Sequence, residues 1–279
     1  GGKPTAWLSG APRISGRLHN AHKGSFGDVA VVGGAPGMTG AAWLAARAAP
    51  AAGAGRVYCS LLDDKLHTTD LQRPELMTRV AWWHSAPAVL AQHTVVCGCG
   101  GGQNVAVALP ALLAHAARLV LDADALNAVA DDTALATQLQ ARGARGLPTL
   151  LTPHPLEAAR LLSISTAQIQ ADRLAAAQAL AHHFDATVLL KGSGSVISAP
   201  SRTPYINPTG NAALATAGTG DVLAGWVAGL WAQAPQALPI DVAADAAWRH
   251  GHAADVHALA HPGTPLRASD LIDALHRLA

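Results

Sequence analysis

Residues 211–225 read Asn211-Ala-Ala-Leu-Ala-Thr-Ala-Gly-Thr-Gly-Asp221-Val-Leu-Ala-Gly225, NAALATAGTGDVLAG. Small residues run up to one acid and then pass into an apolar helical pattern. Val222, Leu223, Trp226, Val227 and Leu230 form its face, while Ala224, Gly225, Ala228 and Gly229 leave room for close packing. Gly218, Thr219 and Gly220 therefore stand at a helix N-terminus, where unpaired N–H groups form an anion hole and glycine lets a phosphate approach the backbone. Asp221 has two readings there. It complements the helix dipole, worth about 0.3–1 kcal/mol, or it accepts a proton from a hydroxyl as that oxygen attacks phosphorus.

The flanking sequence alternates between two periods. Strand patterns are predicted at residues 28–32, 56–61, 94–97, 119–122, 149–152 and 187–190. Helical spacing is predicted at 39–49, 105–117, from 124, at 155–162 and at 166–182, with Pro50 expected to end the first helix. Residues 62–92 read as loops and short helices, 195–206 as a hairpin around Pro200, and further helices start at Asp221, Ile240 and Ser269. Such alternation implies an α/β fold, a central mainly parallel sheet with helices on both faces. Ligands of such sheets sit beyond the carboxyl ends of the strands. The turns GGAPGMTG, GCGGGQ, DADALN, TPHPLE, KGSGS and AGTGD are thus expected to line one crevice.

Composition limits the partners. The chain has 279 residues, half of them apolar, enough for a large core without disulfides. Nineteen basic against eighteen acidic residues give +1, which leaves no footprint for nucleic acid or an anionic membrane. Cys59, Cys97 and Cys99 sit in apolar strand-like settings without a zinc spacing, so buried free thiols in a reducing compartment are expected. Neither a secretory leader nor a run of the roughly 20 apolar residues that span a bilayer is seen, and a cytoplasmic protein is expected. Residues 1–21, starting Gly-Gly, read as a linker or an added lead-in, with one domain at 22–279.

Three more segments offer chemistry. In LLKGSGSVIS, a strand delivers Lys191 into a Gly/Ser turn whose amides, hydroxyls and ammonium suit a nucleotide, although GSG is also an ordinary hairpin turn. TPHPLE sets His154 at a strand end and Glu157 in the first turn of a helix. Glu157 either satisfies the helix dipole or holds a hydrated Mg2+, which keeps several waters and uses one or two carboxylates. Asp122 and Asp124 could both place charge in the crevice, with Asp124 expected as the N-cap of the next helix. No dinucleotide G-x-G-x-x-G, P-loop or H-E-x-x-H occurs. His182, His183, His250 and His252 are expected on helix surfaces.

HKGSFGDVAVVGG, GMTGAA, LDADALN, LTPHPLE, LLKGSGSVIS and NPTGNAALATAGTGDVLAGWVAGL together resemble the ADP-dependent (S)-NAD(P)H-hydrate dehydratases of the ribokinase-like superfamily, from about His22 to Leu230. The resemblance implies a repair enzyme. NADH or NADPH hydrated on the nicotinamide ring is phosphorylated on its new hydroxyl by ADP, and loss of phosphate restores the dihydronicotinamide. By matching position, Ala41, Gly102, His154 and Asp221 contact the hydrate. Lys191, Gly192, Ser193, Gly194, Ser195 and Gly220 hold the AMP part of the donor, and Asp221 is the base beside the anion hole of Gly218, Thr219 and Gly220. The resemblance further implies a homotetramer and frequent fusion behind an NAD(P)H-hydrate epimerase. Three positions depart from the family's pattern: GCGGG replaces G-P-G-L-G at 98–102, KGSGS replaces K-G-A-x-T, and Leu156 replaces the glycine of TPHP-G-E. A kinase that stops at the phosphorylated product and a nucleotide sensor that does not turn over remain the competing readings. GMTGAA with TPHP-x-E favours the dehydratase over the first, and Asp221 with Glu157 disfavours the second.

Overall fold

The computed structural model describes residues 4–12, 16–63, 65 and 69–278. Its strands are β1 (Trp7–Leu8), β2 (Asp28–Gly33), β3 (Arg56–Leu61), β4 (Met77–Thr78), β5 (Thr94–Cys97), β6 (Arg118–Leu121), β7 (Thr149–Leu151), β8 (Thr187–Leu190), β9 (Val196–Ser198) and β10 (Tyr205–Ile206). They form one sheet in the order β1-β10-β9-β8-β7-β6-β5-β2-β3-β4. Strands β2 to β8 are mutually parallel, and only β9 runs antiparallel to its neighbours β8 and β10. The helices are α1 (Thr39–Ala51), α2 (Pro87–Leu90), α3 (Leu109–His115), α4 (Asp124–Asp131), α5 (Thr133–Ala144), α6 (Pro155–Leu162), α7 (Thr166–Ala171), α8 (Arg173–Phe184), α9 (Thr219–Gln233), α10 (Pro239–Ala260) and α11 (Ala268–Leu278).

Alternate side chains of each parallel strand enter opposite cores, because successive strand residues point to opposite faces. Val29, Val31, Val96, Val120 and Leu189 pack under α1, α9, α10 and α11. Ala30, Val32, Val95, Leu119, Leu121 and Val188 pack under α3 to α8. Both faces are therefore covered, as the near-continuous apolar strands require. Chain order reverses direction between β2 and β5, so the loops after these two strands flank the crevice where such sheets bind ligands.

Several boundaries differ from the sequence-based expectations. Helix α1 runs one residue past Pro50 and ends at the C-cap Ala52, so the proline interrupts the hydrogen-bond ladder only within the last turn. The helix expected over 166–182 is two, divided at Asp172, whose carboxylate accepts from Ala175 N at 2.9 Å and caps the second. The helix expected from Val105 starts as a 3-10 turn over Gly102–Val107 before α3. Two short edge strands were not predicted. Trp7–Leu8 pairs with Tyr205–Ile206, and Met77–Thr78 pairs with Tyr58–Cys59 inside the segment assigned to loops. Of that segment, 64 and 66–68 lie outside the described residues, as do the first residues of the lead-in.

Candidate active site

Helix α9 buries nearly its whole circumference, including Val222, Leu223, Trp226 and Val227, and its start points at the carboxyl edge of the sheet. The amides of Gly218, Thr219 and Gly220 have no backbone acceptor among the described residues. The Thr219 hydroxyl instead donates to the carbonyls of Leu214 (2.9 Å) and Thr216 (3.1 Å), tying the preceding loop down over the helix start. Asp221 lies in that first turn. Its carboxylate, the Asp122 carboxylate at the end of β6 and the Cys99 thiol beyond β5 have donor atoms within 4.8 Å of one another.

Lys191, delivered by β8, joins this group from the other side. Its ammonium donates to Asp122 Oδ1 at 2.7 Å and stands 3.9 Å from Glu157 Oε2. Asp122 is 1 % exposed and also accepts from the Thr152 hydroxyl at 2.7 Å. His154 and Glu157 form a reciprocal cap on α6. His154 Nδ1 accepts from the amides of Leu156 and Glu157, and Glu157 Oε2 accepts from His154 N at 2.7 Å. Nδ1 is thereby committed as an acceptor, and Nε2 faces Glu157 Oε1 at 3.2 Å.

Three buried or half-buried carboxylates, Asp122, Glu157 and Asp221, thus lie around one ammonium. Burial, with the charge of Asp122 added, pushes Asp221 up to about 6. Burial pushes Glu157 up to about 7, with Asp122 adding to the effect and Lys191 opposing it. Burial would lower Lys191, but the charges of Asp122 and Glu157 outweigh it and hold the ammonium above its ordinary value. Burial also lowers His154, which Lys191 reinforces. A base near neutrality beside an anion hole suits proton removal from a hydroxyl that attacks phosphorus.

A cavity of about 480 Å3 opens from Lys191, Gly192, Ser193 and Ser195 across to Thr219 and Gly220. Gly192 has φ +142°, and a Cβ there would meet the Arg173 guanidinium at 2.8 Å. That guanidinium reaches the carbonyls of Leu190 (3.2 Å), Lys191 (3.1 Å) and Ser193, so one side chain clamps the whole turn. Ser195 Oγ closes the turn on Gly192 O at 3.0 Å. Gly194 belongs to the turn but does not line the cavity.

On the other flank, the loops after β2 and β5 lie against each other: Gly34 N donates to Cys99 O at 2.9 Å and Ala35 N to Gly100 O at 2.7 Å. A Cβ on Gly100 would meet Ala41 Cβ at 2.8 Å, which places Ala41 against the same loop as Gly102. The positions read from the sequence thus converge on one crevice.

Two expectations need correction. Asp124 is not the N-cap of α4. Ala123 holds that position without a side-chain bond, and Asp124, in the first turn, accepts from Gly102 N at 2.8 Å instead. His250 is not on the surface. It is buried behind the cavity, with Nε2 2.9 Å from Thr219 O, and burial pushes it down to about 4. Arg173 and Cys99 were not singled out for the site. No local pattern marks Arg173, because its partners belong to a distant turn, and Cys99 resembles any strand-end thiol.

The profile of the NAD(P)H-hydrate dehydratase family matches residues 29–277. The ADP-dependent (S)-NAD(P)H-hydrate dehydratase of Neisseria meningitidis is 44 % identical over 244 residues, covering 86 % of this chain and 80 % of that protein. The bifunctional NAD(P)H-hydrate repair enzyme of Moorella thermoacetica is 42 % identical over 290 residues, 97 % of this chain, which spans about half (52 %) of that longer protein. Among solved structures, a ribokinase-like superfamily protein of Enterococcus faecalis superposes with a TM-score of 0.78 at 26 % identity, covering 95 % and 90 % of the two chains. The ADP/ATP-dependent NAD(P)H-hydrate dehydratase of Bacillus subtilis, co-crystallized with ATP/Mg2+, gives 0.75 at 27 % identity, covering 95 % and 93 %. On this profile, these identities and a ribokinase-like fold, the chain belongs to the NAD(P)H-hydrate dehydratase family.

Proposed function

We propose that the chain dehydrates (S)-NAD(P)H hydrate back to NAD(P)H with ADP as phosphoryl donor. The observation that carries this reading is the raised Asp221 carboxylate at the start of α9, between a nucleotide-sized cavity and the loop that bears Gly102. The KGSGS turn, Lys191 and Gly220 hold the AMP part of ADP. Ala41, Gly102 and His154 hold the nicotinamide hydrate with its hydroxyl against Asp221. Asp221 takes the hydroxyl proton as the oxygen forms its bond to the β-phosphorus, and AMP leaves. The amides of Gly218 to Gly220 accept the charge that builds on the transferred phosphoryl group. Loss of phosphate, with a proton from the adjacent ring carbon, then restores the ring double bond.

Mg2+ fits this site at Glu157. Its hard oxygens suit a hydrated ion, and the shortage of positive charge among Asp122, Glu157 and Asp221 leaves room for a cation. The Cys99, Asp122 and Asp221 group fits less well, because it mixes a thiol with carboxylates. When bound, Mg2+ would neutralise phosphate charge. The three thiols are free and buried, and among the described residues no helix is long and apolar enough to cross a membrane. This supports a reducing, cytoplasmic setting. Family membership supports a homotetramer and work beside, or fused to, an epimerase that interconverts the hydrate epimers.

The test mixes the protein with Mg2+ and (S)-NADH hydrate, with ADP or ATP, and follows the near-ultraviolet absorbance of the dihydronicotinamide. Recovery with ADP, accompanied by free phosphate and AMP, is expected. A flat trace from folded, nucleotide-binding protein sinks the reading, and accumulation of a phosphorylated hydrate without free phosphate makes the chain a kinase.

A further inference from the structure

One buried histidine of the 480 Å3 cavity has no part in the chemistry above. His250, on α10, is 8 % exposed and lines the cavity beside Thr219, Gly220 and Leu223. Its Nε2 stands 2.9 Å from Thr219 O. A carbonyl only accepts, so Nε2 carries the proton. Burial keeps the ring from taking a second proton near neutrality. Nδ1 is therefore a lone pair, without a hydrogen-bond partner among the described residues. Holding Thr219 O needs only the donor side of the ring. The acceptor side is left for a molecule that enters the cavity, because a buried acceptor without a partner costs the fold a hydrogen bond.

Both asparagines of the cavity are already committed to its own walls. Asn207 Nδ2 donates to Thr209 O at 3.1 Å and to Ala247 O at 3.0 Å, while its Oδ1 accepts from the Thr209 hydroxyl at 3.0 Å. Asn211 Nδ2 donates to Asp255 Oδ1 at 2.8 Å, and its Oδ1 accepts from Ala213 N at 2.9 Å. His250 Nδ1 thus remains as an uncommitted nitrogen acceptor. Leu214 and Leu223 add apolar wall, which suits a flat base.

Thr219 O and Gly220 N belong to one peptide unit. His250 therefore lies one peptide away from the amide that holds donor phosphate in the reading above. In a nucleoside diphosphate the group bonded directly to the phosphate is the sugar, and the base lies beyond it. A ribose hydroxyl can donate to Nδ1, whereas the sugar's ring oxygen cannot. We propose that His250 Nδ1 accepts a hydrogen bond from a ribose hydroxyl of the donor and so selects ribonucleoside over deoxyribonucleoside diphosphates. This rests on the reading of ADP as donor.

The experiment is calorimetric binding, with Mg2+ present, of ADP, 2′-deoxy-ADP, 3′-deoxy-ADP and inosine diphosphate to wild type, His250→Gln and His250→Phe. Glutamine can keep the donor to Thr219 O but leaves no acceptor where Nδ1 stood. Phenylalanine keeps the bulk of the ring and loses both. Wild type is expected to bind one deoxy nucleotide about three- to tenfold more weakly than ADP, the size of one hydrogen bond. Both variants are expected to bind that nucleotide and ADP alike, a change of selectivity that a merely structural role would not produce. Equal wild-type affinity for ADP and both deoxy nucleotides overturns the proposal without any variant, as does discrimination that survives in either folded variant. A wild-type loss confined to inosine diphosphate, whose base lacks the amino group of adenine, assigns Nδ1 to the base and overturns the ribose contact. Failure of the dehydratase reading is distinct, because wild type would then bind ADP yet recover no NADH.

Discussion

Asp221 is caught between function and stability, and the two respond to pH in opposite senses. Its ordinary value of 3.8 is raised to about 6 by burial and by Asp122. In the mechanism proposed above turnover needs the carboxylate, so activity is expected to fall as pH drops through about 6. Between about 4 and 6 the folded chain holds a proton that the unfolded chain has lost, so ionised Asp221 costs the fold stability above that window. Asp221→Asn is therefore expected to abolish turnover yet stabilise the protein at pH 8 by about 1–2 kcal/mol, after discounting for partial exposure. The gain fades below about pH 4. Melting curves at the two pH values check this, and equal stability of variant and wild type at pH 8 would count against a strained carboxylate.

Helix α9 shows how an element holds such a residue in place. A Cβ on Gly225 would stand 2.0 Å from the Ala45 carbonyl oxygen of α1, and one on Gly229 would stand 2.3 Å from that of Ala49. Backbone cannot move aside as a flexible side chain can, so Gly225→Ala is expected to destabilise by about 2–3 kcal/mol. It should also weaken ADP binding by shifting the helix start. Gly40→Ala, where a Cβ meets nothing within 4 Å, is the matched control and should leave stability unchanged or slightly higher. Chemical denaturation of both reads the difference, and equal effects would reject tight α1 to α9 packing as the cause.

This packing was legible in advance, since Gly225 and Gly229 fall on one side of a 3.6-residue repeat. The parallel sheet was legible for a similar reason, because strands buried on both faces lose their alternation. Local turns such as KGSGS and TPHPLE also declared themselves. What the sequence hid was every long-range polar choice. Asp124 has the residue type and position of a cap, yet it serves Gly102, because Ala123 already turns the chain with φ 48°. His250 sits in a polar stretch of α10, and only the packing of α10 on α9 puts it behind Thr219. Two-residue strands such as β1 and β4 carry too few side chains to set up any period.

At the scale of the molecule, the site draws on segments from the first third of the chain to the last. Ala41, Asp122, Lys191 and Asp221 meet only when the sheet is complete and α1 and α9, far apart in sequence, have docked. Non-local assembly of this kind places the proposed donor site late on the folding route. ADP is thus expected to slow unfolding while leaving the refolding rate unchanged, because the transition state lacks the site. Stopped-flow kinetics with and without ADP test this, and faster refolding in its presence would mean that the site forms early.

The ten-stranded sheet ends at both margins in strands of two residues, Trp7–Leu8 on one side and Met77–Thr78 on the other. A margin that short offers an incoming chain only a few unpaired amides and carbonyls. Two molecules meeting edge to edge find too little backbone to continue the ladder, so these edges guard a sheet rich in valine and leucine against fibrous aggregation.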